Sequence, residues 1–304
     1  MAILNKFYVL IKREYWENKV AFLKAPLALA FIILFIAFCS FSLFLYNGNT
    51  IIQGMSQSSS SDLSHLPQDF VQNVLYVIAS PLMLIMWLVL FNYFLGSLSN
   101  DRKDRSLLFW LSMPITHTES IIAKIIAGIF IAPVFTWVCI IITEFICLVL
   151  LSIVALILGV GPISHLWPIF SLILIWLKML FAFYIQGIWL FPLFAWCMLA
   201  SAYAKRSPFL TAILPIIIIM IVEGLFFHSA YLSNAITSRF TGAIITWGSL
   251  FESGSYQEQL ISFQSESFKT MLLNADLIWG LVAGIIFVSV AGLLRYRCFR
   301  FDRL

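Results

Sequence analysis

Charge is scarce in this sequence. Only 11% of its 304 residues are Asp, Glu, Lys or Arg, where a soluble domain carries roughly 25%. A chain with so little polar surface cannot stay dissolved, which excludes a water-soluble enzyme or binding module. No Gly-Lys dipeptide occurs anywhere. The phosphate-cradling loop G-x-x-x-x-G-K-[ST] is therefore missing, and ATP cannot be bound and hydrolysed through that motif. Neither H-E-x-x-H nor C-x-x-C is present, and His65, His117, His165 and His228 lack metal-ligand spacing, so no metal site is expected. No separate basic region exists, which argues against nucleic acid as a partner. The five cysteines fall in apolar stretches or near the C-terminus, so no disulfide framework is expected. The first apolar stretch is too long for a signal-peptide core, and no A-x-A-like site follows it.

What is present is hydrocarbon. Hydrophobic residues make up 62% of the chain and mean hydropathy is +1.00. A membrane helix needs roughly 20 mostly apolar residues to cross about 30 Å of lipid. Six segments qualify, at about 25–46, 75–98, 121–160, 167–204, 208–227 and 277–294. The first carries Pro26 in its first turn, where a missing N–H costs nothing. The third and fourth exceed one simple crossing, and each holds a proline, Pro133 and Pro192, that can kink it. Charge chooses the orientation. With six spans and an inside N-terminus, 15 of the 18 basic residues lie on the cytoplasmic side, leaving Arg239 and Lys269 outside and Lys178 within a span. The expected fold is an all-α membrane protein of a single domain, 1–304, with both termini cytoplasmic.

Three stretches outside the spans carry information. Residues 1–24 hold apolar side chains at helical spacing (Phe7, Tyr8, Ile11, Tyr15) among Lys12, Arg13, Glu14, Trp16 and Glu17. That pattern reads as an amphipathic helix lying in the inner headgroup layer. In the loop 99–120, a charged cluster (Asp101, Arg102, Asp104, Arg105) leads into Phe109 and Trp110, and Pro114 ends the run. Thr116 and Glu119 then have the spacing of a capping box at the start of the third span. The long outer loop 228–276 contains an apolar stretch, 240–251, expected to lie on or dip into the outer leaflet.

Charged residues inside spans are costly and call for a partner or a role. Glu144, Lys178 and Glu223 all fall toward the outer leaflet by helical rise, and Lys178 is expected to be neutralised by Glu144 or Glu223. Such a cluster serves either packing or a transport pathway. Gly280 and Gly284 form a G-x-x-x-G that lets helices approach closely.

The sequence around Ile11-Lys-Arg-Glu-Tyr-Trp-Glu-Asn18, the loop from Leu95 to Pro114, and the order of six spans with a long last outer loop resemble the permease subunits of ABC-2 type exporters. The resemblance implies an exporter permease of the bacterial inner membrane, with an elbow helix at residues 1–24. It also implies a coupling loop at 99–120, in which Asp101, Arg102, Asp104, Arg105, Phe109 and Trp110 face a separate ATP-binding subunit. ATP and magnesium would be held by that partner, and a second permease copy, as a homodimer or pair, would complete the pathway among membrane lipids. An intramembrane lipid-modifying enzyme using Glu144, Glu223 or His228, or a proton-coupled transporter using Glu144 and Glu223, are the alternatives.

Overall fold

The computed structural model describes residues 2–57, 68–103, 116–158, 167, 169–204, 207–248 and 275–301, and every element among them is helical. In chain order these are α1 (Ala2–Glu17), α2 (Ala25–Gln57), α3 (Gln68–Lys103), α4 (His117–Ile126), α5 (Ala132–Leu158), α6 (Ile169–Trp189), α7 (Phe191–Tyr203), α8 (Pro208–Phe226), α9 (Tyr231–Gly248) and α10 (Ala275–Phe301). Six stretches are long and apolar enough to cross a membrane: Val20–Tyr46, Val71–Arg102, Thr118–Ile157, Ile169–Trp189, Pro208–Phe226 and Asp276–Arg295. Together they make an all-helical, multi-pass membrane protein.

α3 is the hub. In its most apolar window 44% of residues are buried, against 6% in the corresponding windows of α2 and α8, so α3 takes the centre and those two face outward. Leu75, Ala79, Leu82, Leu90, Phe94 and Leu98 of α3 meet Phe22, Ile140, Leu148, Met179, Phe183, Phe194 and Met198 from the surrounding helices in one core. In lipid the outward apolar residues need no cover, and close packing between helices holds the bundle together.

Two π-helical turns interrupt the regular helices, Val20–Lys24 before α2 and Ala127–Ile131 between α4 and α5. Each ends in an Ala-Pro step, Ala25-Pro26 and Ala132-Pro133, and the alanine N–H reaches back five residues, to Val20 O and Ala127 O. The cause is local. Proline offers no N–H to the carbonyl four residues earlier and its ring crowds that carbonyl, so widening the turn by one residue relieves both. Pro26 therefore does not sit in the free first turn expected from the sequence. The bonds from Asn18 N to Glu14 O (3.1 Å) and Phe22 N to Asn18 O (3.0 Å) carry the helical path from α1 into α2.

The fourth apolar segment is broken rather than kinked. α6 ends at Trp189, Leu190 takes φ −88° and ψ −2°, and α7 begins with Pro192 in its first turn. Proline suits a helix start because its N–H would be unpaired there anyway. α7 then packs on α3 and α10. At its far end Arg102 Nη2 donates to Ser201 O (2.6 Å) and Ala204 O (2.7 Å), and Ser201 Oγ accepts from Ser99 N (2.9 Å). A cation on the last carbonyls of a helix satisfies unpaired acceptors and opposes the helix dipole.

The first part of the long last loop is α9, which reaches well into the bundle. Phe240 stacks near Phe91 with ring centroids 6.1 Å apart, and Arg239 lies 4.8 Å from the Trp189 ring while donating to Asp276 O. The two glycines noted in α10 make room for these contacts. A methyl group at Gly280 would strike the Arg239 guanidinium, and one at Gly284 would strike the Phe191 ring. That glycine face is thus filled from within the chain.

Candidate functional site: a buried ion network at one end of the bundle

The sequence pattern that starts α4 places the first half of the site. Thr116 Oγ1 accepts from Glu119 N (3.3 Å) and Glu119 Oε2 accepts from Thr116 N (2.9 Å), which completes the expected capping box. With its first turn held, α4 carries Lys124 inward between Ile121 and Ala127, both buried. α1 contributes Glu14 from the side that also buries Leu10, while Tyr8, Val9 and Trp16 on the rest of the helix stay exposed. Asp101 comes from the end of α3 and Arg295 from the last turns of α10.

These four charges meet. Lys124 Nζ lies 3.0 Å from Glu14 and 3.2 Å from Asp101 Oδ1, and Arg295 Nη2 lies 2.8 Å from Asp101 Oδ2. The Tyr93 hydroxyl sits 3.3 Å from Glu14 Oε2 and 3.2 Å from the Lys124 carbonyl. Glu14 is 2% exposed, Lys124 3%, and Asp101 and Arg295 8% each, so water screens none of them. Two acids and two bases cancel, which is the condition for tolerating charge at such depth. Burial nevertheless raises the Glu14 carboxyl above its ordinary range, with the Lys124 ammonium pulling against it. An outer pair, Lys6 to Glu119 at 2.7 Å, ties α1 to α4 a second time.

Packing fixes the network from both sides. Phe22, in the first π turn, sets its ring edge-on to Tyr93 at 4.9 Å. Gly128, in the second, lets Phe94 approach so closely that a methyl group there would come within 2.5 Å of Cζ. Both π turns thus lie beside the network. Between α3 and the starts of α2 and α8 a cleft of about 940 Å³ runs up to Asp101, Tyr93 and Lys124.

The residues singled out in the sequence are distributed as follows. Asp101 belongs to the network and Arg102 caps α7, whereas Asp104, Arg105, Phe109 and Trp110 lie outside the described residues. Glu14 is in the network, Arg13 and Glu17 pair with each other at 2.6 Å, and Lys12 and Trp16 are exposed, with Lys19 Nζ 5.3 Å from the Trp16 ring. Lys124 and Arg295 entered the sequence reading only as counted positive charges. The available signal was the acids: orientation asks for Lys and Arg at span ends, and gives no reason for Glu14 and Asp101 to stand among them.

The three charges placed deeper are held separately. Glu144 is 0% exposed, accepts from Trp176 Nε1 through Oε2 (2.7 Å), and its Oε1 has no hydrogen-bond partner among the described residues. Trp137 Nε1 to Trp176 O (2.7 Å) between α5 and α6, and Trp167 Nε1, just before α6, to Ser152 Oγ of α5 (2.8 Å), complete a row of indole bonds. Glu223, at the end of α8, holds the start of α9 by accepting from Ser229 Oγ (3.1 Å), Tyr231 N and Leu232 N (3.0 Å). Lys178 is buried, and the described ion pairs join it to neither carboxylate.

Among the described residues no three His, Cys, Asp or Glu side chains converge to hold a metal ion. No family model, curated protein or solved structure matches the chain.

Proposed function

We propose that this chain is the permease subunit of an ABC-2 type exporter, forming the membrane pathway while a separate ATP-binding subunit supplies ATP, magnesium and hydrolysis. In this reading the ion network marks the cytoplasmic face, both termini lie there, and α1 is an elbow helix in the inner headgroup layer. Tyr8, Val9 and Trp16 on the exposed part of α1 suit that position.

The observation that carries the proposal is where the network stands relative to the loop 99–120. Asp101 is at one stem of that loop and pairs with α10, Glu119 and Lys124 are at the other and pair with α1, and the Lys124–Asp101 bond joins the two stems. A push on Asp104, Arg105, Phe109 and Trp110 from an ATP-driven partner would pass through two rigid stems into the first and last spans, whose ends the stems hold. The partner's motion would thereby reach the pathway without a further device in the loop. A second permease copy completes the assembly.

The test is a mild-detergent purification of the tagged chain with mass spectrometry and an ATPase assay. The expected result is a co-purified P-loop ATPase that is lost when residues 104–110 are scrambled and the protein level is unchanged. Recovery of the chain alone, in good yield and with native lipid, would sink the reading. The second reading, a proton-coupled transporter, draws on Glu144, a fully buried acid with one oxygen unbonded among the described residues; it requires gradient-driven transport that Glu144→Gln abolishes.

A further inference from the structure

The two π turns stand at one level of the bundle. Phe22 of the first lies edge-on to Tyr93, and Gly128 of the second is pressed against both Tyr93 and Phe94 of α3. Each turn is also tied to the other's span. The first packs on α5 and the second on α1, and Tyr15 of α1 stacks on Phe135 of α5 with ring centroids 4.8 Å apart. In both places a proline follows and supplies no N–H, so each span is one backbone bond short at the same height. Helices bend where the ladder is interrupted, at prolines and π turns above all.

The two sides of this level are held differently. On the network side, ion pairs fix α1 to α4, and Asp101 and Arg295 fix α3 and α10 to the same block. Shearing that block would part buried charges, which is costly. On the other side, the described side-chain bond in α2, Ser40 Oγ to Ile36 O (2.9 Å), stays inside the helix. Among the described residues only apolar contact holds α2 to its neighbours, and its most apolar window is 6% buried. α5 is bonded to α6 through Trp137, Glu144 and Trp176. Bending is therefore concentrated in the two turns, and the Tyr15–Phe135 stack keeps one span from bending without the other. We propose that the two π turns form a single joint, about which α2 and α5 tilt together, with α6, against the block that the ion network holds. α3 is unbroken at Tyr93 and Phe94 and serves as the post for that motion.

The test uses the full chain in nanodiscs, with spin labels on ketone-bearing residues so that the native cysteines stay in place. Labels at the exposed positions Trp16 and Phe38 span the first turn, and labels at Ile122 and Ile142 span the second. Deleting the exposed Phe130 together with Pro133→Ala lets the second turn close as regular α-helix. Pulsed electron resonance across the first turn should give a broad distance distribution in the parent, and the variant should lose that breadth although its change lies in another span. A single narrow distance in the parent would overturn the proposal. So would breadth that the variant keeps, because two independent bends do not communicate. Should the deletion prevent folding, Pro26→Ala restores one N–H after the first turn, and the labels across the second turn are read in the same way. The readout involves no ATP-binding partner, so its outcome is independent of the permease reading.

Discussion

The two halves of the bundle keep their charges by different means. At one end Glu14, Lys124, Asp101 and Arg295 neutralise one another across four helices. Toward the other, Glu144 rests on a single indole N–H, and Glu223 on the first N–H groups of the next helix. Ion pairing resists removal of any one member, because the remaining charges are left uncompensated in a medium that cannot solvate them. Support by neutral dipoles resists less, yet leaves the acid free to change state without releasing a cation. The first arrangement suits a joint that must transmit force; the second suits packing, or a group that moves a proton.

Substitution can break this contrast, beginning where the effect is largest. Lys124→Met strands Glu14 and Asp101 together and is expected to destabilise the protein by about 3–5 kcal/mol. The double change Glu14→Gln, Lys124→Met, which keeps the Asp101–Arg295 pair, should cost less than Lys124→Met with both acids retained, as read from thermal unfolding in detergent. Gly128→Leu, which drives carbon into Phe94, should cost about 1–3 kcal/mol by overpacking beside the second π turn. Trp176→Phe removes the donor to Glu144 and should cost about 1–3 kcal/mol, and Trp176→Phe with Glu144→Leu should recover part of it. If Lys124→Met proved milder than Trp176→Phe, the contrast between the two halves would be lost.

Acidity sharpens it further. Burial raises the Glu14 carboxyl, so the folded protein holds this proton to higher pH than the unfolded chain does. The Glu14 contribution is then most favourable below the ordinary carboxylate range and declines as pH rises through the raised value. Glu14→Gln should remove that part of the slope in a melting-temperature profile across pH. The half-exposed pair Lys6–Glu119 is the smallest case, and Lys6→Met should leave the melting temperature unchanged.

What could be read from the sequence was what is local along the chain. The spans follow from runs of apolar residues, and the α4 cap from Thr116 and Glu119, whose partners lie three positions apart. The break at Leu190 was half legible: Pro192 marked the place, but the same proline serves a kink or a helix start, and packing on α3 and α10 decides. The ion network was illegible because its partners stand up to 194 residues apart. Lys124 and Arg295 each had an adequate local explanation as a flank of its own span, and the unexplained acids beside them named no partner. Lys178 was assigned to Glu144 or Glu223 on depth alone, and depth says nothing of which way a side chain points around its helix. Trp176, two positions from Lys178, occupies the direction that meets Glu144.

Each π turn is in effect one residue added to an α-helix, and this makes the protein's tolerance of insertions and deletions uneven along its length. Loss of a single residue between Ala127 and Ile131 would let the regular ladder close, because the Ala132 N–H would reach the same Ala127 carbonyl four residues back instead of five. Side chains from Ala132 onward would keep their facing, with Glu144 still turned to the core and Trp137 to α6. The same one-codon deletion within the regular part of α5 would rotate every later side chain by about 100°, at 3.6 residues per turn.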